Sequence, residues 1–195
     1  MNAIDRTQLT VLLLAGGQGS RLGGRDKGLM PWQGQPIAKH LVDMVRPLAC
    51  EVIISCNRHH QIYQDWADRI VSDQQADYPG PLVGILAGLA ECNTSHLLVI
   101  PCDLPHLDQT LLLQLLEQVA SQPSMPWLIK AGEAWQPLVS VIPQHLLADL
   151  QHAWSEGQRS PLRWFLGQIH GVFPVPAYDP RLHNANHPED WQQAT

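Results

Sequence analysis

Leu9 to Leu14 is an apolar run with Thr10 as its one polar residue, and a segment dense in glycine follows it at once: Leu14-Ala15-Gly16-Gly17-Gln18-Gly19-Ser20-Arg21-Leu22-Gly23-Gly24-Arg25-Asp26-Lys27. A strand with one face in water alternates apolar and polar residues. A continuous run belongs to a strand covered on both faces, as in the parallel sheet of an α/β protein. In open α/β sheets ligands bind at the carboxyl ends of the strands. A glycine-rich turn there lets backbone N–H groups approach phosphate oxygens closely. Arg21, Arg25 and Lys27 bring positive charge into the same turn. A plain surface turn is the alternative, but it does not explain three cations beside five glycines directly after a buried strand.

The rest of the chain fits the class this start implies. Val52 to Ser55 and Leu97 to Ile100 are further short apolar runs, and helical stretches over Pro36 to Val45, Leu82 to Leu89 and Asp108 to Val119 separate them. Asp108 is suited to cap the last of these helices. Strands alternating with helices predict βαβ units in a three-layer α/β fold with a mostly parallel sheet. The second half changes character. It is richer in tryptophan and broken by proline, with strands expected near Trp127 to Lys130, Pro137 to Ile142 and Val172 to Val175, some of them antiparallel. There is no Gly/Ser-rich or charged linker and no internal repeat, so residues 1–195 read as one domain.

Composition narrows the function. With 45% hydrophobic and 15% charged residues, the chain is globular, not disordered. A formal net charge of −6 argues against non-specific nucleic-acid binding. It also means that a phosphate-rich ligand needs local cations, which the glycine loop supplies. No apolar run is long enough to span a bilayer, and the start MNAIDRTQLT has no apolar signal region. Cys50, Cys56, Cys92 and Cys102 form no C-x-x-C pair. Buried, reduced thiols in a cytoplasmic protein are expected. His59-His60 have no partner at metal-ligand spacing, so zinc is not expected, and no G-x-S-x-G nucleophile elbow occurs.

The glycine segment is neither of two familiar phosphate loops. A Walker loop needs Gly-Lys followed by Ser or Thr, whereas Asp26 precedes Lys27 and Gly28 follows it. A dinucleotide fingerprint needs a glycine where Leu22 stands. Three later segments carry acids or polar groups at strand ends. Pro101-Cys102-Asp103-Leu104-Pro105 follows the run ending at Ile100 and sets Asp103 on the same sheet edge as the glycine loop. A metal-assisted transfer from a nucleoside triphosphate needs one such carboxylate, because Mg²⁺ takes hard oxygen ligands from one or two carboxylates plus the substrate phosphates. The competing role for Asp103 is capping the next helix. Before a cation binds, like-charge repulsion from Asp26 and Asp73 is expected at Asp103. Val71-Ser72-Asp73 is another strand end, followed by Tyr78-Pro79-Gly80-Pro81-Leu82-Val83-Gly84, a turn opening a helix. Ser55-Cys56-Asn57-Arg58 ends a third strand.

The pattern L-A-G-G-x-x-x-R-x-G-G-x-D-K resembles the signature of nucleotidyltransferases with a Rossmann-like, glycosyltransferase-A-type fold. Within them, Gly16-Gly17 and Asp26-Lys27-Gly28 are most similar to the molybdenum cofactor guanylyltransferases. That resemblance implies transfer of GMP from GTP to the phosphate of molybdopterin, with pyrophosphate released and Mg²⁺ as cofactor. It implies that Leu14, Ala15, Gly16 and Gly17 contact the nucleotide, the loop amides of Ala15, Gly16 and Gly17 among them. It gives Arg21 and Lys27 the charge of the triphosphate and of the leaving group, and makes Asp103 a ligand of both metal and nucleotide. Asp73 is the implied GTP contact, to guanine donors or to ribose hydroxyls. Ser55 stands where the family has the first Asn of N-x-N-R, a shorter group that can still hydrogen-bond. Asn184-Ala185-Asn186-His187-Pro188-Glu189-Asp190 is similar to the family ending N-x-N-T-P-E-[DE]. There, Asn186 caps the last helix or faces the pterin side with Asn184. Arg159 is either a contact for the molybdopterin phosphate or a solvated surface group. The nucleotide half thus covers about 9–110 and the pterin half about 111–195, with molybdoenzyme chaperones or other cofactor-biosynthesis proteins as onward partners. Cytidylyl transfer to the same pterin, nucleotidyl transfer to a sugar phosphate, and a non-catalytic delivery protein are the alternatives.

Overall fold

The computed structural model describes residues 4–16, 24–72 and 80–191. Its strands and helices in chain order are β1 (Leu9–Leu14), β2 (Pro31–Trp32), β3 (Gln35–Pro36), α1 (Ile37–Val45), β4 (Glu51–Ser55), α2 (His60–Tyr63), β5 (Arg69–Val71), α3 (Pro81–Ala90), β6 (His96–Pro101), α4 (Gln109–Val119), β7 (Trp127–Ala131), β8 (Ala134–Pro143), α5 (Leu147–Ser155), α6 (Pro161–Leu166) and β9 (Gly171–Val175). The principal sheet has seven strands in the order β5-β4-β1-β6-β8-β7-β9. β5, β4, β1 and β6 are mutually parallel, β8 runs antiparallel to both β6 and β7, and β9 is parallel to β7.

The run at the start becomes β1, at the centre of the parallel part, and its side chains split between two cores. Leu9, Val11 and Leu13 pack with α1 and α4 on one face, through Ile37, Leu41, Leu111 and Leu115. Leu12 packs on the other face with Leu82, Ile85 and Leu89 of α3, Leu150 of α5, and Trp164 and Phe165 of α6. These are the three layers expected. Each such fully buried leucine or isoleucine contributes about 1.5–3 kcal/mol relative to leaving it exposed, and that is why the run tolerates no polar residue except the buried Thr10.

Element boundaries differ from expectation by a residue or two at most sites. β8 is longer than Pro137 to Ile142, because its first residues extend beyond its pairing with β6 and pair with β7 across a bulge between Leu128 and Ile129. The short β2–β3 hairpin and helices α2, α5 and α6 had no clear sequence signal. Cys56, Cys92 and Cys102 are buried free thiols as expected, whereas Cys50 is exposed at the turn before β4. Among the described residues no helix is long and apolar enough to cross a membrane.

Asp108 caps α4, its carboxylate accepting from the Leu111 amide at 2.8 Å. The helix role that competed for Asp103 is therefore taken. Asp108→Ala should lower stability by about 0.5–2 kcal/mol in a denaturant titration, whereas Asp108→Asn, which can still cap, should stay close to the parent.

Candidate active site

Parallel register aligns the strand ends. Leu14 pairs with Ser55 on one side and with Pro101 on the other, and Ser55 pairs in turn with Val71. Each strand stops at the same edge, and each is followed by a segment singled out above: Ala15-Gly16, Cys56-Asn57-Arg58, Ser72 and Cys102-Asp103. The edge is knitted by backbone bonds, from Ala15 N–H to Ser55 C=O at 2.8 Å and from Cys102 N–H to Leu14 C=O at 3.1 Å. The first of these corrects one expectation: the Ala15 amide is committed to the sheet, not turned towards phosphate.

At this edge the Lys27 ammonium donates to Asp103 Oδ2 at 3.1 Å and to Asn186 Oδ1 at 2.9 Å. Asn184 Nδ2 donates to the other oxygen, Asp103 Oδ1, at 3.0 Å. The backbone joins in, with Ala185 N–H donating to the Asp103 carbonyl at 2.8 Å. Residues 27, 103, 184 and 186 thus form one connected polar group whose Lys27 and Asp103 side chains are about four-fifths buried, at 19% and 18% exposure. Of the repulsion expected at Asp103, the share from Asp26 is offset: Lys27 pairs with Asp103, and Asp26 is occupied by its own donors, Gly28 N–H at 3.0 Å, Tyr63 O–H at 2.7 Å and His59 Nδ1 at 2.9 Å.

The C-terminal segment bears on the capping role open for Asn186. The last turn, Pro188–Trp191, is a 3-10 helix, and the capping acceptor is Asp190, whose carboxylate takes the Asn186 and His187 amides at 2.8 Å each. The Asn186 side chain therefore turns to Lys27 and does not cap.

Ser55 is buried at the end of β4, with its Oγ against α3. A Cβ added at Gly84 would lie 2.8 Å from Ser55 Oγ and 3.0 Å from Leu14 Cδ2, so only glycine lets α3 approach both residues this closely. Asn57 reaches Gly16, with its Nδ2 3.7 Å from where a Cβ on that glycine would stand. Arg58 Nη1 donates to the Gly24 carbonyl at 3.0 Å, tying the strand end to the descending arm of the loop. Arg159 is held by its own segment. Its guanidinium stacks 3.8 Å over Trp154 and donates to the carbonyls of Trp154 and Gln158 at 2.8 and 2.9 Å. Gly17, Arg21 and Asp73 lie outside the described residues.

No nucleophile stands out in this group. Cys56 and Cys102 end the strands flanking β1, but burial, with the Asp26 charge adding to it, pushes the Cys56 thiol up to about 12. Burial and the Asp103 charge raise Cys102 further still. Both remain thiols at neutral pH. The described residues contain no cluster of three or more His, Cys, Asp or Glu side chains able to cage an ion. The Asp103 carboxylate at this edge now accepts from Lys27 and Asn184, and a single hard oxygen ligand of this kind is what Mg²⁺ takes from a protein when phosphate and water supply the others.

Residues 11–171 match the sequence profile of the MobA-like NTP transferase domain. The chain belongs to this family. It is 49% identical over 180 residues to a molybdenum cofactor guanylyltransferase from Pseudomonas aeruginosa, covering 92% of this chain and 91% of that one. It is 49% identical over 189 residues to another of that name from Pseudomonas fluorescens, covering 95% and 94%. Among solved structures, the molybdopterin-guanine dinucleotide biosynthesis protein A of Archaeoglobus fulgidus superposes with a TM-score of 0.76 at 20% identity, over 95% of this chain and 96% of that one. A 2-C-methyl-D-erythritol 4-phosphate cytidylyltransferase from Thermus thermophilus shares the fold at a TM-score of 0.69 and 15% identity, over 94% and 95%. Asp103 and the C-terminal segment of this chain stand on the three-layer α/β fold that these nucleotidyltransferases share. Tyr63 and His59 were not foreseen, since His59-His60-Gln61-Ile62-Tyr63 has no distinctive spacing.

Both partners of the Asp103 carboxylate are donors, Lys27 above all. Asp103→Asn keeps an acceptor for the ammonium but removes the anion that pairs with the four-fifths-buried Lys27. This substitution should cost about 1–3 kcal/mol, read as a lower midpoint in thermal or denaturant unfolding, and should bring no gain in stability.

Proposed function

We propose that this chain transfers GMP from GTP to the phosphate of molybdopterin, releasing pyrophosphate and forming molybdopterin guanine dinucleotide. The observation that carries the reading is the joined group of Lys27, Asp103, Asn184 and Asn186 at the strand ends, in a chain 49% identical to named molybdenum cofactor guanylyltransferases. An oxygen of the molybdopterin phosphate attacks the α-phosphorus of GTP, and the bond from that phosphorus to the β-phosphate oxygen breaks. The nucleophile needs little activation, because a phosphate monoester with a second pKa near 6 is largely dianionic at neutral pH. That agrees with a site whose thiols stay protonated.

The protein's task is to align the two phosphates and to offset their charge. Lys27 supplies a cation against the triphosphate and the leaving pyrophosphate, exchanging its bond to Asp103 for phosphate oxygens. Arg21 is proposed to share that charge. Gly16 and Gly17 line the nucleotide, with Leu14, Ala15 and Ser55 at the strand ends beneath it. Asp73 is the proposed acceptor for guanine or ribose. Asn184 and Asn186 are the proposed contacts towards the acceptor phosphate, and Arg159, held on Trp154, is the proposed outer contact on the pterin side. Asp103, together with triphosphate oxygens, would hold Mg²⁺, which when bound neutralises phosphate charge. Soluble substrates of this kind fit work in the cytoplasm, with the product passed on to molybdoenzymes or their chaperones.

Pyrophosphate release measured with molybdopterin, Mg²⁺ and each of the four nucleoside triphosphates should be fast with GTP and slow with ATP and CTP, because a wrong base leaves buried polar groups unpaired. Chelating the metal should abolish it. Equal rates with CTP would replace the guanylyl reading with a cytidylyl one.

Lys27→Ala should remain folded yet turn over about 30- to 150-fold more slowly, the equivalent of about 2–3 kcal/mol for a charged phosphate contact. A rate within twofold or so of the parent would remove Lys27 from the transfer step.

A further inference from the structure

We propose that Asp26, held by the Tyr63 hydroxyl, is a positioning residue that aims Lys27 at the reacting phosphates. The proposal rests on the guanylyl-transfer reading for what Lys27 does, but it is carried by separate geometry. Lys27 begins a single 3-10 turn, Lys27–Leu29, closed only by Leu29 N–H to Asp26 C=O at 3.2 Å and Met30 N–H to Lys27 C=O at 3.1 Å. One isolated turn holds no fixed direction in water. Its orientation must come from outside: Leu29 and Met30 pack into the core beside Ile37 and Leu41 of α1, and the Asp26 side chain ties down the Lys27 end.

Asp26 is only 8% exposed. Its Oδ1 accepts from the Gly28 amide within the turn and from the Tyr63 phenol beyond it, and Oδ2 accepts from His59 Nδ1. An ionised carboxylate can only accept, so all three partners are donors. Tyr63 is fully buried and meets Trp66 edge-on at 5.7 Å between ring centroids, which fixes it in the core. Burial, reinforced by the bond to Asp26, pushes its hydroxyl far above the ordinary phenol range, so it remains a donor at any working pH. Gly28 completes the seat. A Cβ there would overlap the Tyr63 hydroxyl and lie 3.1 Å from Cζ, so the turn rests directly on the phenol. His59 adopts φ 55°, a left-handed conformation uncommon outside glycine, and its imidazole meets the second oxygen from that position.

Rigidity passes from the core through Tyr63 and Asp26 into the backbone of Lys27. The contacts of the ammonium with Asp103 and Asn186 must loosen when phosphate arrives, whereas the backbone anchor does not depend on them. A catalytic cation displaced by about 1 Å can cost about 100-fold in rate, so the hydroxyl matters for catalysis as well as for stability.

Tyr63→Phe keeps the ring and removes only this hydroxyl. With GTP, molybdopterin and Mg²⁺, kcat should fall about tenfold or more, with a smaller change in the KM for GTP. In the Lys27→Ala background the same substitution should leave kcat within about twofold, because it acts through a group already removed, while its loss of melting temperature persists. Rate losses that multiply across the two backgrounds, or an unchanged kcat in Tyr63→Phe, would overturn the proposal and leave Tyr63 a stabilising residue only. A second readout needs no turnover. Acetylation of the Lys27 amine by acetic anhydride, followed by mass spectrometry, should be severalfold faster in Tyr63→Phe than in the parent, and equal rates would again overturn the proposal. Parent protein that releases no pyrophosphate from any nucleotide would instead defeat the guanylyl reading, and the labelling would then judge the clamp by itself.

Discussion

The ion pair between Lys27 and Asp103 organises this molecule's functional edge. It joins residues 76 positions apart, and the bond to Asn186 reaches 159 positions along the chain. Neither partner is stable there alone. A four-fifths-buried ammonium or carboxylate left without its counter-charge would carry a large desolvation cost. Asp103 follows β6, which lies parallel beside β1, and Lys27 reaches it from the Lys27–Leu29 turn, so the pair spans the edge at which the parallel strands end. Reactive groups held in this way stay poised, because each ion's present partner stands in for a ligand of similar charge.

That arrangement also settles a tension in the composition. The chain is acidic overall at −6, yet its nucleotide chemistry needs to receive a triphosphate. The acids nearest Lys27 are already spoken for: Asp26 by Tyr63, Gly28 and His59, and Asp103 by Lys27 and Asn184. Bound donors keep those carboxylates from opposing an incoming anion as bare charges would. Net charge says little about a site when neighbouring donors set the local field.

The fold was legible wherever it depended on local pattern. β1 was readable because a six-residue apolar run has few alternatives, and α4 because Asp108 announces its start. The antiparallel strand β8 was only half visible, since its first residues earn their place by pairing with β7 across a bulge, a long-range partner that leaves no local trace. In the site, Lys27, Asp103, Asn184 and Asn186 could be picked out from motifs, but their mutual bonds could not. Asp103 looked like an isolated acid facing other acids, although its neighbours in space are an ammonium and an amide. Tyr63 was invisible for a similar reason. Its importance lies in one hydroxyl meeting one carboxylate 37 positions away, and nothing in a short helix of four residues hints at that.

The return of Asn184 to Asn186 to the strand ends has a consequence for how the protein comes into being. Translation delivers the amino end first, and domains begin to organise as they emerge. β1, β4 and β6 are all made long before Asn184, so a nascent chain can assemble its nucleotide-facing sheet while the Lys27 ammonium still lacks one of its two partners. Until the asparagines arrive, Lys27 has Asp103 but not Asn186, and Asp103 lacks the Asn184 amide, so the cradle's charges can be matched before its amides are in place.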